Sequence, residues 1–371
     1  MGSWPLRVMH AGGRVLQAHA GRLSYPLKIN LCLTYWCQYR CQTCNIWKRK
    51  PEDELTTDEL LRFVAANNCT EWLDVTGGEI FLRPDVETVL DAILGSWKRL
   101  TLLHFPTNGF LTDKIVPIAE RLARRHATPL IVTVSLDGDE ALNDQIRGIK
   151  GGYQRQVETF RRLRRIAGVQ AVLGMTVSRF NATRVRDVFE AVKKDVADLR
   201  PAEFHLNVAQ ASAHYYGTDD AAAFGASREQ IAGALDAYRE LRGTPWKPAD
   251  LLEARYLQLL RSFVDTGVTP LPCHALRSSC FIDPWGTVYP CISYDRPVGR
   301  LREHDMKLEP IWRGDAAGTT QAEIWEGDCP QCWTACEAYQ TIMGNALAPW
   351  RRGRPKPDTA PDVAAPTIRT P

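Results

Sequence analysis

No stretch of about 18 apolar residues occurs in the 371-residue chain, so no transmembrane helix is expected. The opening "MGSWPLRVMHAGGRVLQAHAG" lacks a continuous apolar core and does not read as an export signal. Neither sign of charge dominates: 46 Lys and Arg against 43 Asp and Glu leave a formal +3. Composition alone therefore implies no nucleic-acid or membrane partner. Internal repeats are also missing. What remains, 44% apolar and 24% charged residues, is ordinary for a globular chain of two or three domains.

Cysteine is the exception. Eleven are present, and they cluster: Cys32, Cys37, Cys41 and Cys44 near the start, Cys69 alone, and six between 273 and 336. An odd total and no export signal argue against a disulfide framework. The remaining reading is metal, in a reducing, cytoplasmic compartment.

Strand-like runs at 27–34, 71–76, 100–107, 130–138, 169–178 and 202–210 alternate with helical patterns at 57–67, 85–95, 112–126, 152–166 and 184–194. Thr57 offers a start signal for the first of these helices. Alternation at this spacing predicts βαβ units and a parallel sheet, either doubly wound or an incomplete barrel. Polar signatures fall after successive strands: the cysteine triad, "TGGE" (76–79), "TNG" (107–109), "SLDG" (135–138) and "SRFN" (178–181). In either fold the carboxyl ends of the strands carry the chemistry, so these five point to one site.

"WCQYRCQTCNIW" (36–47) holds Cys37, Cys41 and Cys44 with no fourth ligand at customary spacing. Three thiolates are too few for structural zinc and leave one position open on a [4Fe–4S] cluster. Cys32, inside a predicted strand, is a poor fourth ligand. C-x3-C-x2-C after the first strand of such a region resembles the radical S-adenosylmethionine (SAM) enzymes, although Thr43 stands where that family often has an aromatic. The resemblance implies a partial (β/α)6 barrel of the TIM type. It also implies a [4Fe–4S] cluster on Cys37, Cys41 and Cys44 whose open iron binds SAM. Reductive cleavage of SAM would then yield a 5′-deoxyadenosyl radical that takes hydrogen from a substrate.

The same resemblance assigns further residues to SAM. Gly77 and Gly78 would allow close backbone approach, with Glu79 or neighbouring carbonyls receiving the ammonium. Ser135 and Asp137 would meet the ribose, and Arg147 the carboxylate. Asn108 and Asn181 are additional candidates for ligand contact. His104, His205 and the "HYY" of 214–216 receive no catalytic role. The basic face of "ETFRRLRRIAG" (158–168) is a candidate dock for an electron donor of the flavodoxin or ferredoxin type.

Residues 227–265 read as two helices joined by "GTPWKP" (243–248). Beyond Pro270 the spacing C-x12-G-x4-C, then C-x2-C-x3-C, resembles the SPASM and Twitch auxiliary-cluster modules. It has fewer cysteines than a full SPASM pattern, so one auxiliary [4Fe–4S] cluster is expected. Cys273, Cys291, Cys329 and Cys332 form the natural pair of pairs, with Cys280 and Cys336 as substitutes and a zinc ribbon as the competing reading. "DPWGTVYPC" (283–291) reads as a hairpin.

The expected organisation is an extension over 1–26, the barrel over 27–215, connecting helices over 216–268, the auxiliary module over 269–345 and a disordered Pro- and Arg-rich tail over 346–371. The short segment before the barrel favours a small-molecule or lipid-like substrate, with peptide modification as the alternative. A zinc-stabilised scaffold is the reading of another class.

Overall fold

The structure is a computed structural model that describes residues 4–245 and 248–346. Six strands, β1 (Lys28–Thr34), β2 (Trp72–Gly77), β3 (Leu102–Thr107), β4 (Leu130–Ser135), β5 (Val169–Val177) and β6 (Phe204–Val208), pair in parallel in chain order. Among the described residues β6 does not pair with β1, so the barrel is partial. Helix α1 (Trp4–Ala20) precedes it. α2 (Thr57–Ala66), α3 (Val86–Ser96), α4 (Thr112–Arg125), α5 (Glu140–Arg147), α6 (Gly152–Leu163) and α7 (Val185–Asp195) connect the strands. Every residue of β1 is buried, yet polar Lys28, Asn30 and Thr34 alternate with Ile29, Leu31 and Leu33. Side chains alternate across a strand, so this pattern reads as an apolar face under helices and a polar face toward the barrel interior.

Local chemistry sets the boundaries. Thr56, one residue before the expected start signal, caps α2: its hydroxyl accepts from Glu59 N and Glu59 accepts from Thr56 N. Asp139 caps α5 in the same way through Leu142 N. Neither α5 nor α1 belongs to the expected elements.

The C-terminal segment is not a separate body. Past α8 (Arg228–Arg242) and α9 (Pro248–Thr266), the hairpin of β7 (Ser279–Ile282) and β8 (Thr287–Tyr289) forms as expected, followed by β9 (Gly299–Arg300). β7 then pairs in parallel with β1, making one nine-stranded sheet. This covers an edge of β1 that would otherwise present unpaired backbone groups. α10 (Leu308–Arg313), α11 (Asp315–Trp325) and α12 (Ala335–Gly344) complete the chain, and α12 packs on α9 and α1. Apart from Ala346, the expected tail lies outside the described residues, as do residues 246–247 of the "GTPWKP" turn. Among the described residues no helix is long and apolar enough to cross a membrane.

Candidate functional site

The cysteine loop leaves β1 and is gripped on both sides by backbone. On one side Gly78 N donates to Thr34 O and Glu79 N to Trp36 O, each at 2.8 Å. A Cβ on Gly78 would stand 2.2 Å from Trp36 O, so only glycine permits this approach. On the other side Gln42 N donates to Ile146 O at 2.8 Å and Arg40 N to Arg147 O at 3.2 Å. There Gly148, at φ +65°, sits where a Cβ would lie 2.4 Å from Arg40 O. The two glycine motifs are thus the places where neighbouring loops touch the cysteine loop.

The three thiols gather around polar donors. Asn108 Nδ2 lies 3.9 Å from Cys37 Sγ, and Arg147 Nη1 lies 3.7 Å from Cys41 Sγ. Burial pushes the Cys37 and Cys44 thiols up to about 12, and raises Cys41 against the opposing pull of Arg147. Metal loading at such a site must displace protons. A single tetrahedral ion with bonds of about 2.3 Å needs its thiolates within about 4 Å of one another. Among the described residues no three Cys, His, Asp or Glu side chains are grouped to hold one ion.

The residues expected to meet SAM divide into two sets. Asp137 and Arg147 meet each other beside the thiols, Oδ2 to Nε at 3.3 Å, with the guanidinium 5.8 Å from the Tyr39 ring centre. Tyr39 Oη is buried without a hydrogen-bond partner. Ser135 is half-buried at the end of β4. The other set consists of braces. Glu79 is fully buried: Oε1 accepts from Phe81 N, and Oε2 from Thr107 Oγ1 and Asn108 N. Burial raises its carboxyl to about 7, against these donors. Glu79 thus braces the loops after β2 and β3, and the carbonyls beside it are the other candidates to receive the ammonium. Asn181 is likewise committed, donating to Asp137 O and Thr176 O and accepting from Ser178 N. Asn108 pairs with Gln38, Nδ2 to Oε1 at 3.0 Å.

The second cysteine group is sorted by packing. Cys273 and Cys329 pack with Cys291 against Ala275 and Ile324. Cys332 is near enough that its negative charge would raise the Cys273 and Cys291 thiols further. Cys280 is instead fully buried within β7 in the main core. Cys336 is elsewhere again: with Cys37 and Cys44 it packs against the group formed by Tyr35, Tyr215 and Phe281. The expected substitutes Cys280 and Cys336 therefore do not join the other four.

Residues 31–192 match the family model of the radical SAM superfamily, and residues 273–337 match the SPASM iron–sulfur cluster-binding domain. The chain carries a radical SAM domain followed by a SPASM domain. It is 25% identical over 317 residues to the antilisterial bacteriocin subtilosin biosynthesis protein AlbA of Bacillus subtilis (strain 168), covering 84% of this chain and 64% of AlbA. It is 26% identical over 199 residues to the sporulation killing factor maturation protein SkfB of the same strain, covering 52% of this chain and 46% of SkfB. The chain thus spans less than two thirds of each curated relative. The same fold occurs in Streptococcus suis SuiB bound to S-adenosylmethionine, with TM-score 0.57 and 17% identity over 83% of this chain and 70% of SuiB. It also occurs in native anSMEcpe with bound AdoMet, with TM-score 0.57 and 14% identity over 86% of this chain and 97% of that one.

A radical SAM domain binds a [4Fe–4S] cluster and SAM, and a SPASM domain binds auxiliary iron–sulfur clusters. The donors fit. Three soft thiols lie on one loop, and the buried Tyr39 Oη beside them has no hydrogen-bond partner, which points to a missing group there.

Two features of this radical SAM domain escaped sequence reasoning. Lys28, with no exposed surface, pairs with Asp74 at 2.8 Å, and Asp74 bonds His104 Nδ1 at 3.1 Å. The signal was a lysine and an asparagine at alternate positions of an otherwise apolar strand. The second is the engagement of "HYY" with both cysteine groups. The basic helix face, in contrast, does not adjoin the site. It leads into the amino end of β5, whose nine residues span roughly 30 Å to the carboxyl end. Arg161, Arg162 and Arg164 are moreover paired with Glu158, Asp113, Asp198 and Glu203.

Proposed function

We propose that this radical SAM protein modifies a peptide, and that the auxiliary site takes part in the oxidation. The observation that carries this is the likeness to AlbA over 84% of the chain, AlbA being named for biosynthesis of the bacteriocin subtilosin. SkfB is named for maturation of the sporulation killing factor, and SuiB and anSMEcpe have been solved with a precursor peptide and a Cp18Cys peptide. The expectation of a small-molecule or lipid-like substrate has no comparable support.

When bound, the cluster and SAM supply a carbon radical able to remove hydrogen from the substrate. The chain's residues set the geometry. Cys37, Cys41 and Cys44 hold the cluster, the carbonyls of the Gly77–Gly78 turn receive the ammonium, and Arg147 takes the carboxylate through a charge-assisted hydrogen bond. Asp137 orients Arg147. Cys273, Cys291, Cys329 and Cys332 hold one auxiliary cluster.

The test is anaerobic reconstitution with iron counting, followed by SAM and dithionite in the presence of peptides encoded beside the gene. The expected outcome is about eight irons per chain, release of 5′-deoxyadenosine, and a peptide that has lost two hydrogens. Cys37→Ala/Cys41→Ala/Cys44→Ala should abolish deoxyadenosine release. Replacing Cys273, Cys291, Cys329 and Cys332 by alanine should leave about four irons, whereas Cys280→Ser and Cys336→Ser should leave all about eight. Deoxyadenosine release with no change in any encoded peptide would sink the peptide reading, and full iron in the quadruple variant would sink the ligand assignment.

A further inference from the structure

The loop after β6, "SAHYYGT" (212–218), closes on itself and touches the cysteine loop, the glycine turn and the auxiliary cysteine group. Ser212 N donates to Thr218 Oγ1, Thr218 N to Ser212 O, and Tyr215 N to Ser212 Oγ, each at 3.1 Å. These three bonds tie the two ends and the middle of the turn together.

Three sets of contacts leave it. Toward the cysteine loop, Asn45 N donates to Tyr216 O at 2.8 Å, Asn45 Nδ2 to Gly217 O at 3.1 Å, and Tyr35 Oη to His214 O at 2.9 Å. Arg49 adds bonds to the carbonyls of Ala213 and His214. Toward the glycine turn, the Tyr215 hydroxyl lies 2.6 Å from Thr76 Oγ1 and 3.4 Å from Gly77 O. Toward the auxiliary group, Ser212 Oγ donates to Ile292 O and His214 Nε2 to Cys291 O at 3.1 Å, while the His214 ring stacks on Tyr289 at 4.5 Å. Nε2 must carry the proton, because a carbonyl only accepts.

We propose that this loop is a clasp through which the auxiliary cysteine pocket positions the SAM-binding glycine turn, with His214 and Tyr215 as its positioning residues. Cys291 O and Gly77 O are joined by one compact turn: His214 holds the first and the adjacent Tyr215 reaches the second. A constraint on the Cys291 backbone is therefore also a constraint on the carbonyls that face the ammonium. This is a coupling free energy carried by a contiguous hydrogen-bonded element. It rests on the SAM site and not on the substrate, so failure of peptide modification would leave it standing.

The experiment titrates SAM against the reconstituted protein, following the electron paramagnetic resonance signal of the reduced SAM-site cluster. Tyr215→Phe removes one oxygen and keeps the ring. His214→Phe keeps the stack and removes the bond to Cys291 O. Each should raise the SAM dissociation constant about threefold to tenfold, the worth of one hydrogen bond, with iron content unchanged. The double variant should bind no more weakly than the weaker single, because both break one path. Amide exchange at Gly78 and Glu79 in the cluster-free protein should quicken in both variants. A His214→Phe affinity within about twofold of the parent, or a double variant equal to the product of the singles, would overturn the clasp.

Discussion

At the scale of single residues, the site is built by atoms that have no room to be otherwise. Gly78 illustrates this: its missing Cβ is what lets the glycine turn lie against Trp36 O. Gly78→Ala should cost about 2 kcal/mol or more of stability and weaken SAM binding, checked by thermal melting and by titration. Glu71 shows how burial sets ionisation. It is 1% exposed, with His10 Nδ1 3.2 Å and Arg14 Nε 3.6 Å from one oxygen, yet burial raises its carboxyl to about 7 although Arg14 opposes this. Its folded pKa exceeds the usual carboxylate value, so the folded state holds the extra proton. The favourable contribution is full at low pH and is lost as pH rises through about 7. Glu71→Gln should flatten the fall in stability between about pH 4.5 and 7, a difference of at most about 3 kcal/mol. Denaturant midpoints at a series of pH values would measure it; an unchanged slope would refute it.

Elements are held by polar groups as much as by apolar ones. The N-terminal helix α1 docks through its cations: Arg7 donates to Leu100 O, and Arg14 sits 3.6 Å from Glu71, while Leu6, Met9 and Leu16 stay exposed. This reversal of the usual pattern is why hydrophobic periodicity does not find it. At the other end of the chain α12 is tied to the barrel by the same means. Lys28 Nζ donates to Cys336 O, Glu337 accepts from Asn30 and Ser279, and Tyr339 bonds Glu253 of α9. Lys28→Met should destabilise the protein by about 3–5 kcal/mol, because it strands the Asp74 carboxylate in the barrel. Adding Asp74→Asn should recover part of that loss, and the double-mutant cycle in urea is the measurement. A Lys28→Met protein as stable as the parent would mean that His104 and Trp72 Nε1 suffice for Asp74.

For the whole molecule, what the chain encodes locally and what it encodes only on folding separate cleanly. The parallel βα order, the motifs after five of the six strands and the two cysteine groups were legible in the sequence, because strand period, helix period and ligand spacing are local properties. The C-terminal hairpin was legible from its own turn. Its partner was not: the pairing of β7 with β1 joins Lys28 to Ser279 across 251 positions, and no local pattern specifies it. The same holds for the sorting of six C-terminal thiols. Spacing made Cys280 and Cys336 fair substitutes for the others, whereas the pleat of β7 turned one into the core and α12 carried the other toward the first cysteine group. Glu79 and Asn181 look like ligand contacts in one dimension, since any polar residue at a strand end does. Only the three-dimensional structure shows that both also brace neighbouring loops, Glu79 accepting from Thr107 and Asn108 and Asn181 donating to Asp137 O. By itself the sequence determined which chemical groups the site contains. Tertiary structure decided which of them remain free to act, because hydrogen-bond partners are drawn from strands and loops far apart along the chain.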